Sequence, residues 1–404
     1  MLDAERHGRI SMRALAWTLY AVSFEVGFFG AQIAPLMGPI RERTHASITQ
    51  IGFLASAWVL AHALVQPVAG TLADRIGVSR VLTAALIITA GGAVGFSRAV
   101  SLFSLVATRV IVGVGTGAAF VAGLRAVGSA GDSRGMVVTR GIYGATVNIG
   151  YSAALLLVPL LYVAMGWSGG LLLQAAAPVI LAVVAWPAGS SRFWSFGAPL
   201  VAPEGAGRTS TYRPFAMAIA HFAGNGMAVA VVIWGVEYLT RSYARPLIFG
   251  SIAVMMASLI GFGGRIISGL LLVKAGVLMS VLTSIGSTIV GLMALAIWRG
   301  LGPAIIFLVV VCFATNLSFA AVFSPRGSTE GRLGREFGFI SLAGNLGSVA
   351  LISLIGFVVD RTGSFDAAWL LSATMLVILG IAVLMVWTRG HAQTCGGHET
   401  TSEP

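Results

Sequence analysis

The stretch Gly264-Arg265-Ile266-Ile267-Ser268-Gly269-Leu270-Leu271-Leu272-Val273-Lys274-Ala275-Gly276 decides how the rest of the chain is read. It sets an arginine inside an apolar run, four residues before a glycine that is expected to open a short loop. The same frame occurs earlier as Gln66-Pro67-Val68-Ala69-Gly70-Thr71-Leu72-Ala73-Asp74-Arg75-Ile76-Gly77. Gly70 matches Gly269, Leu72 matches Leu271, Arg75 matches Lys274 and Gly77 matches Gly276, all at one offset of 199 (276 minus 77). The chain therefore reads as two related halves. The second half carries a charge, Arg265, where the first carries Gln66.

A second repeat supports the two halves. Gly141, Asn148 and Gly150 return as Gly338, Asn345 and Gly347, at an offset of 197 (347 minus 150). Small residues at such spacing let helices approach closely in lipid. The two asparagines need partners there, across a helix interface or in a polar cavity.

Outward from these frames the chain is apolar. Of its 404 residues, 57% are hydrophobic and only 10% charged, against about 25% charged in a soluble domain. Runs of about 18 or more apolar residues recur along its length, which is the pattern of membrane-spanning helices. Twelve such segments are expected, in an all-α polytopic protein of two pseudo-symmetric six-helix bundles. The expected order is a cytoplasmic N-terminal tail 1–13, a first bundle 14–188, a cytoplasmic linker 189–213 rich in Pro, Gly and Ser, a second bundle 214–388 and a cytoplasmic tail 389–404. The arginines ahead of the first apolar run precede no clean cleavage site, so that run reads as a first spanning helix.

Charge supplies the orientation. Of the 25 Lys and Arg residues, 16 fall in loops on the side of the N-terminus and 7 on the other. Positive loops stay inside, so both termini are expected in the cytoplasm. The remaining two, Arg109 and Arg265, lie inside spanning segments. The net charge of +11 is scattered between apolar runs, which points to topology and not to nucleic acid. Cys312 and Cys395 imply no disulfide framework and no metal spacing. No catalytic constellation and no nucleotide-binding loop is present. The expectation is a non-enzyme without cofactor, working as a monomer in the bilayer on a small molecule.

The loop signature Gly70-Thr-Leu72-Ala-Asp74-Arg75-Ile-Gly77 with Arg80 resembles that of the major facilitator superfamily between helices 2 and 3. Arg109-Val-Ile-Val-Gly113-Val-Gly115-Thr-Gly117 is similar to its helix 4 signature, and Gly356-Phe-Val-Val-Asp360-Arg361-Thr-Gly363 to the end of helix 11 in carboxylate-transporting members. The resemblance implies two six-helix bundles around a cavity that opens to each side in turn. It gives Gly70, Asp74, Arg75, Gly77, Arg80, Gly269, Lys274 and Gly276 to gating. Asp74 and Arg75 can offset helix-end dipoles and pair across the surface. Val273 stands at the acidic position of the second copy, so that latch is expected to be weaker. Gly144-Ala-Thr-Val-Asn148-Ile-Gly150 lacks the Gly-Pro pair of drug–proton antiporters.

The intramembrane polar residues give the candidate site. A charge inside a spanning segment is costly and faces a cavity or a partner, and a guanidinium suits a carboxylate or similar planar oxyanion. Arg265 resembles the substrate arginine of monocarboxylate, oxalate–formate and nitrate transporters; the competing reading is a side chain that snorkels to the headgroups. Gln66 replaces the second arginine of nitrate transporters, and the helix 11 lysine of oxalate–formate exchangers is missing between Phe337 and Val359. Both departures favour a monoanion. Glu25 lies in the middle of the first segment, where a carboxyl buried without a fixed cation suits a reversible proton carrier. The resemblance pairs it with Arg109 for proton coupling; the alternative is a static ion pair. His62 is a third coupling candidate. His221 and Asn225, four apart, share a helix face and join Gln66, Asn316, Tyr143, Asn148 and Asn345 as substrate candidates.

The expected function is secondary transport of a small organic anion, a monocarboxylate, coupled to protons, in the inner (cytoplasmic) membrane. An exporter of drug-like or metal-chelate compounds is the first alternative. A non-transporting scaffold or sensor is the second, and it would have no need of mid-membrane charges.

Overall fold

Apolar runs this long satisfy their backbone groups in lipid only as helices or closed barrels, and here they are helices. The structure is a computed structural model that describes residues 2–128, 133–186, 212–324 and 333–396. The regular elements among them are α1 (Leu2–Ala31), α2 (Met37–Thr44), α3 (Ile48–Ile76), α4 (Val78–Arg98), α5 (Leu102–Gly128), α6 (Ser133–Gln174), α7 (Ala176–Ala185), α8 (Arg213–Ser242), α9 (Leu247–Ile297), α10 (Leu301–Ala314), α11 (Phe319–Val322), α12 (Leu333–Thr362) and α13 (Phe365–Gly396), with one 3-10 turn at Ala34–Leu36. Pro35 lies in that turn and separates α1 from α2. The expected linker 189–213 lies outside the described residues apart from its last two positions, as does the C-terminal tail from residue 397.

Ten continuous stretches among the described residues are long and apolar enough to cross a bilayer. Two of them are too long for one crossing: Ile142–Ala185 has 44 residues and Leu247–Ile297 has 51. A helix of the latter length would run about 75 Å, more than twice the hydrocarbon thickness of about 30 Å. Each is broken at a glycine outside helical geometry, Gly166 (φ 68°) in α6 and Gly276 (φ 78°) in α9. The breaks turn ten stretches into the twelve expected segments.

The glycine frames behave differently from the expectation in one respect. Gly70 and Gly269 do not open loops. α3 continues as helix through Gly70, Asp74 and Arg75 to Ile76, and α9 continues through Gly269 and Lys274. The turn is confined to Gly77 (φ 96°) and its repeat partner Gly276. An intact helix keeps every backbone group bonded, so the chain leaves it only where a residue tolerates positive φ. Neither glycine has another atom within 4 Å of where a Cβ would stand. Their requirement is conformational.

The described residues divide into two compact units, one within Met1–Ala198 plus Ala244–Met255, the other within Pro199–Tyr243 plus Met256–Pro404. In the first, α4 and α3 pack on α5, and α1 packs on α6. Its core includes Leu19, Leu82, Leu86, Ala119, Ala122 and Tyr143. In the second, α8 packs on α12 and α13. The second repeat sets one crossing in each unit. Gly150 of α6 lies against the Phe24 carbonyl of α1, and Gly347 of α12 against the Phe222 carbonyl of α8, too close for a Cβ at either place. Close small-residue contact is thus what these two glycines provide.

Candidate functional site

In the second unit the site grows from a break in a helix. α10 ends at Ala314, residues 315–318 form a turn, and α11 resumes at Phe319. Backbone polarity released in a membrane must find partners, and α9 supplies them. Ser268 Oγ accepts the Ala320 amide at 3.3 Å, and Ser284 Oγ donates to the Ala314 carbonyl at 2.7 Å. Asn316 stands inside the break, and its Nδ2 donates to the Cys312 carbonyl at 2.7 Å.

Arg265 faces this break. Its Nε donates to Asn316 Oδ1 at 2.8 Å, and its guanidinium carbon stands 4.3 Å from the centre of the Phe319 ring. This hydrogen bond and this ring contact both orient the guanidinium. The rings continue from Phe319 to Phe323, 5.2 Å away, and from Phe323 to His221 in edge contact at 4.9 Å. Arg265, Asn316 and His221, separately chosen from the sequence, thus converge with two phenylalanines that the sequence reading passed over.

Asn225 shares the His221 face of α8 as expected, and that face meets α12. Its Nδ2 donates to the Gly344 carbonyl at 3.1 Å and to Ser348 Oγ at 3.2 Å. Asn225 therefore serves the α8–α12 contact in this conformation. Asn345 is half-buried on α12.

In the first unit Glu25 is 4% exposed, and neither carboxyl oxygen has a hydrogen-bond partner among the described residues. The expected Glu25–Arg109 pair is not formed. Arg109, with no exposed surface, donates through Nη1 to the Phe29 carbonyl at 2.8 Å and to Gln32 Oε1 at 3.3 Å. Its guanidinium stands 5.6 Å from the Trp58 ring, while its Nε and Nη2 are buried without a hydrogen bond. Gln32 in turn donates to Gln174 Oε1 at 2.5 Å, and Gln174 to the Gly170 carbonyl at 3.1 Å. Phe29 is one turn beyond Glu25 on α1, and its carbonyl holds Arg109 in place of a carboxylate. The amide pair Gln32–Gln174 was missed in the sequence; the available signal was two amides near the ends of apolar segments.

His62 stacks on Trp58 at 4.9 Å, and its Nδ1 lies 3.2 Å from Thr116 Oγ1. Tyr143, expected at the substrate, is instead fully buried. Its hydroxyl donates to the Phe120 carbonyl at 3.0 Å, and its own carbonyl accepts from Ser23. Asn148 buries its Nδ2 without a partner, and Gln66 is half-buried on α3. Asp74 pairs with Arg125 at the end of α5, and Arg125 also donates to the Gly70 carbonyl at 3.1 Å. The sequence reading counted Arg125 only toward topology. Arg75, Arg80 and Lys274 are exposed, and Val273, at the place of Asp74 in the second copy, is 85% exposed.

Repeated helix pairs, a broken spanning helix and charges buried at mid-segment define a membrane carrier of the secondary-transporter kind. The Major Facilitator Superfamily profile matches residues 15–328, and the chain belongs to that superfamily. It is a multi-pass membrane transporter and not an enzyme. It is similar to the 2-nitroimidazole transporter of Escherichia coli (strain K12), 31% identical over 178 residues, 42% of each chain. It is also similar to an uncharacterised MFS-type transporter of Bacillus subtilis (strain 168), 33% identical over 94 residues, 23% of this chain and 21% of that one. The chain thus matches less than half the length of these curated relatives. Among solved structures, a D-xylose–proton symporter superposes with a TM-score of 0.74 at 11% identity, covering 93% of this chain and 97% of that one. An inward-facing bacterial homologue of the human lysosomal transporter Spinster gives 0.71 at 16%, covering 95% and 97%. These likenesses speak to the fold.

Proposed function

We propose that this transporter moves a small organic anion, a monocarboxylate, across the cytoplasmic membrane by alternating access and couples it to protons. The observation that carries the reading is Arg265: a charge inside a spanning helix, oriented by Asn316 and Phe319 beside an interrupted helix. A guanidinium held in one plane is suited to two-point engagement of a planar oxyanion. Irregular backbone at membrane depth belongs where it is enclosed by protein or lines a cavity. Both features favour substrate contact over snorkelling. The resemblance of this arginine to that of carboxylate carriers supports the same branch.

Glu25 carries the proton in this account. Its buried carboxyl has no fixed cation, and Arg109 of α5 is held by the Phe29 carbonyl one helical turn further along α1, with Nε and Nη2 unbonded. The coupling pair forms in a different stage of the cycle from the one described. Both termini lie in the cytoplasm.

A second reading, transport of drug-like molecules, is favoured by the similarity to a 2-nitroimidazole transporter. The two readings meet chemically, since a nitro group, like a carboxylate, presents two coplanar oxygens.

A ligand panel on the purified protein separates them. Thermal unfolding is followed with small monocarboxylates, dicarboxylates, inorganic anions, sugars and nitroheterocycles. Stabilisation by monocarboxylates is expected. Stabilisation by uncharged compounds alone would favour the drug-like reading, and by sugars alone would exclude both.

A further inference from the structure

We infer that the Arg265 site selects carboxylates attached to a flat ring, with Phe323 and His221 as the surface that receives the ring. The inference rests on the anion reading above and narrows it to aromatic and heteroaromatic carboxylates. Two features of the second unit and one of ligand chemistry carry it. First, Phe319 stacks against the guanidinium at 4.3 Å, and Nε is tied to Asn316 at 2.8 Å. These contacts orient the cation, and a bidentate carboxylate lies in the guanidinium plane. Second, an aromatic carboxylate is conjugated and flat, so its ring extends the plane of the carboxylate. A saturated ring puckers out of it. Third, the stacked Phe319 is followed by Phe323 at 5.2 Å and by His221 at 4.9 Å from Phe323. Phe323 and His221 are only half-buried, and the row of rings begins at Phe319, the ring that lies against the Arg265 guanidinium. The row of rings therefore starts at the charge and reaches α8 within two ring contacts.

A core-packing role for the same rings explains less. A packed core has no need to stand a cation against a ring that remains 36% exposed, as Phe319 does. Gly344 also bears on the site: the His221 ring occupies the space where a Cβ at Gly344 would stand. The absence of a side chain on α12 fixes the position of one of the two receiving rings.

The test uses the purified full-length protein and pairs of ligands equal in charge and close in size. Benzoate is compared with cyclohexanecarboxylate, and 2-furoate with tetrahydro-2-furoate, by equilibrium binding. Flat members are expected to bind about three- to tenfold tighter than their saturated partners, the scale of an aromatic contact beyond area burial. Phe323→Leu should bring each pair to equal affinity, and Phe323→Tyr, which keeps the ring, should preserve the preference. Arg265→Gln should lose all four ligands. Retention of the wild-type unfolding midpoint in Phe323→Tyr guards against a folding defect. Equal affinity within the pairs, with Arg265 still required, overturns the ring selection and leaves the anion reading intact. Binding of the flat ligands undiminished in Arg265→Gln overturns the anion reading itself. Failure of every flat carboxylate to bind overturns the ring selection.

Discussion

At the scale of single residues, the account turns on charges that the membrane makes expensive. Arg265 and Arg109 are the two basic residues outside the topology pattern, and each is engaged by partners within its own unit. Asn316 orients Arg265 without supplying charge. Asn316→Ala should therefore weaken anion binding by about two- to tenfold, part of the worth of a hydrogen bond to a charged group because Asn316 orients the guanidinium without touching the anion, and leave proton coupling unchanged. Isothermal titration of the variant measures this, and unchanged affinity would remove Asn316 from the site. Glu25→Gln is nearly isosteric and cannot exchange a proton. It is expected to abolish accumulation driven by a pH gradient while preserving counterflow of labelled substrate. Uphill accumulation at the wild-type level would exclude Glu25 as the coupling group. The burial of both carboxyl oxygens without partners makes this residue the clearest reversible site in the first unit.

At the scale of elements, glycine does two separable jobs. Gly276 takes positive φ with open space around it, whereas Gly269, equally prominent in the sequence frame, is ordinary helix with nothing within 4 Å. Gly276→Ala should cost about 1–3 kcal/mol through backbone strain, since positive φ with extended ψ is a region essentially reserved for glycine. Gly269→Ala should be neutral or stabilising by up to about 1 kcal/mol, since alanine favours helix. Differential scanning of the two variants checks this, and equal losses would contradict it. Gly347→Ala, pressed on the Phe222 carbonyl, should lose more than Gly269→Ala because the α8–α12 crossing must open. These elements also show what the sequence made legible. Periodicity and the two offsets disclosed twelve segments, two halves and the close-contact glycines, because apolar length and missing side chains are properties of the sequence itself. The break at 315–318 was hidden, since Thr315-Asn316-Leu317-Ser318 sits in an apolar run with neither Pro nor Gly. Its backbone is satisfied by Ser268 and Ser284, about 30 to 50 residues distant in sequence. The Gln32–Gln174 pair and the exchange of Glu25 for the Phe29 carbonyl at Arg109 were hidden for the same reason. Partner choice among buried polar groups is decided by tertiary packing.

At the scale of the whole molecule, the chain is a superfamily transporter whose two halves have kept their helix crossings and diverged in their charges. The first half holds the buried carboxyl and the ion pair between Asp74 and Arg125. The second holds Arg265 and has Val273 where the acid would be. Asp74 and Arg125 are both substantially exposed, so their pair contributes little to stability, about 0–1 kcal/mol. Asp74→Asn should accordingly leave the unfolding midpoint nearly unchanged while slowing transport, a split that a purely structural ion pair would not produce. The central claim is that one half supplies the anion site and the other the proton. Its most direct test is uptake of a labelled monocarboxylate into proteoliposomes under an imposed inward proton gradient, wild type against Arg265→Gln. The account predicts accumulation collapsed by the proton ionophore in the wild type. It predicts a loss of at least about tenfold in the variant, the worth of a charge-assisted hydrogen bond. Full uptake by Arg265→Gln, or uptake in the wild type indifferent to the gradient, would contradict it.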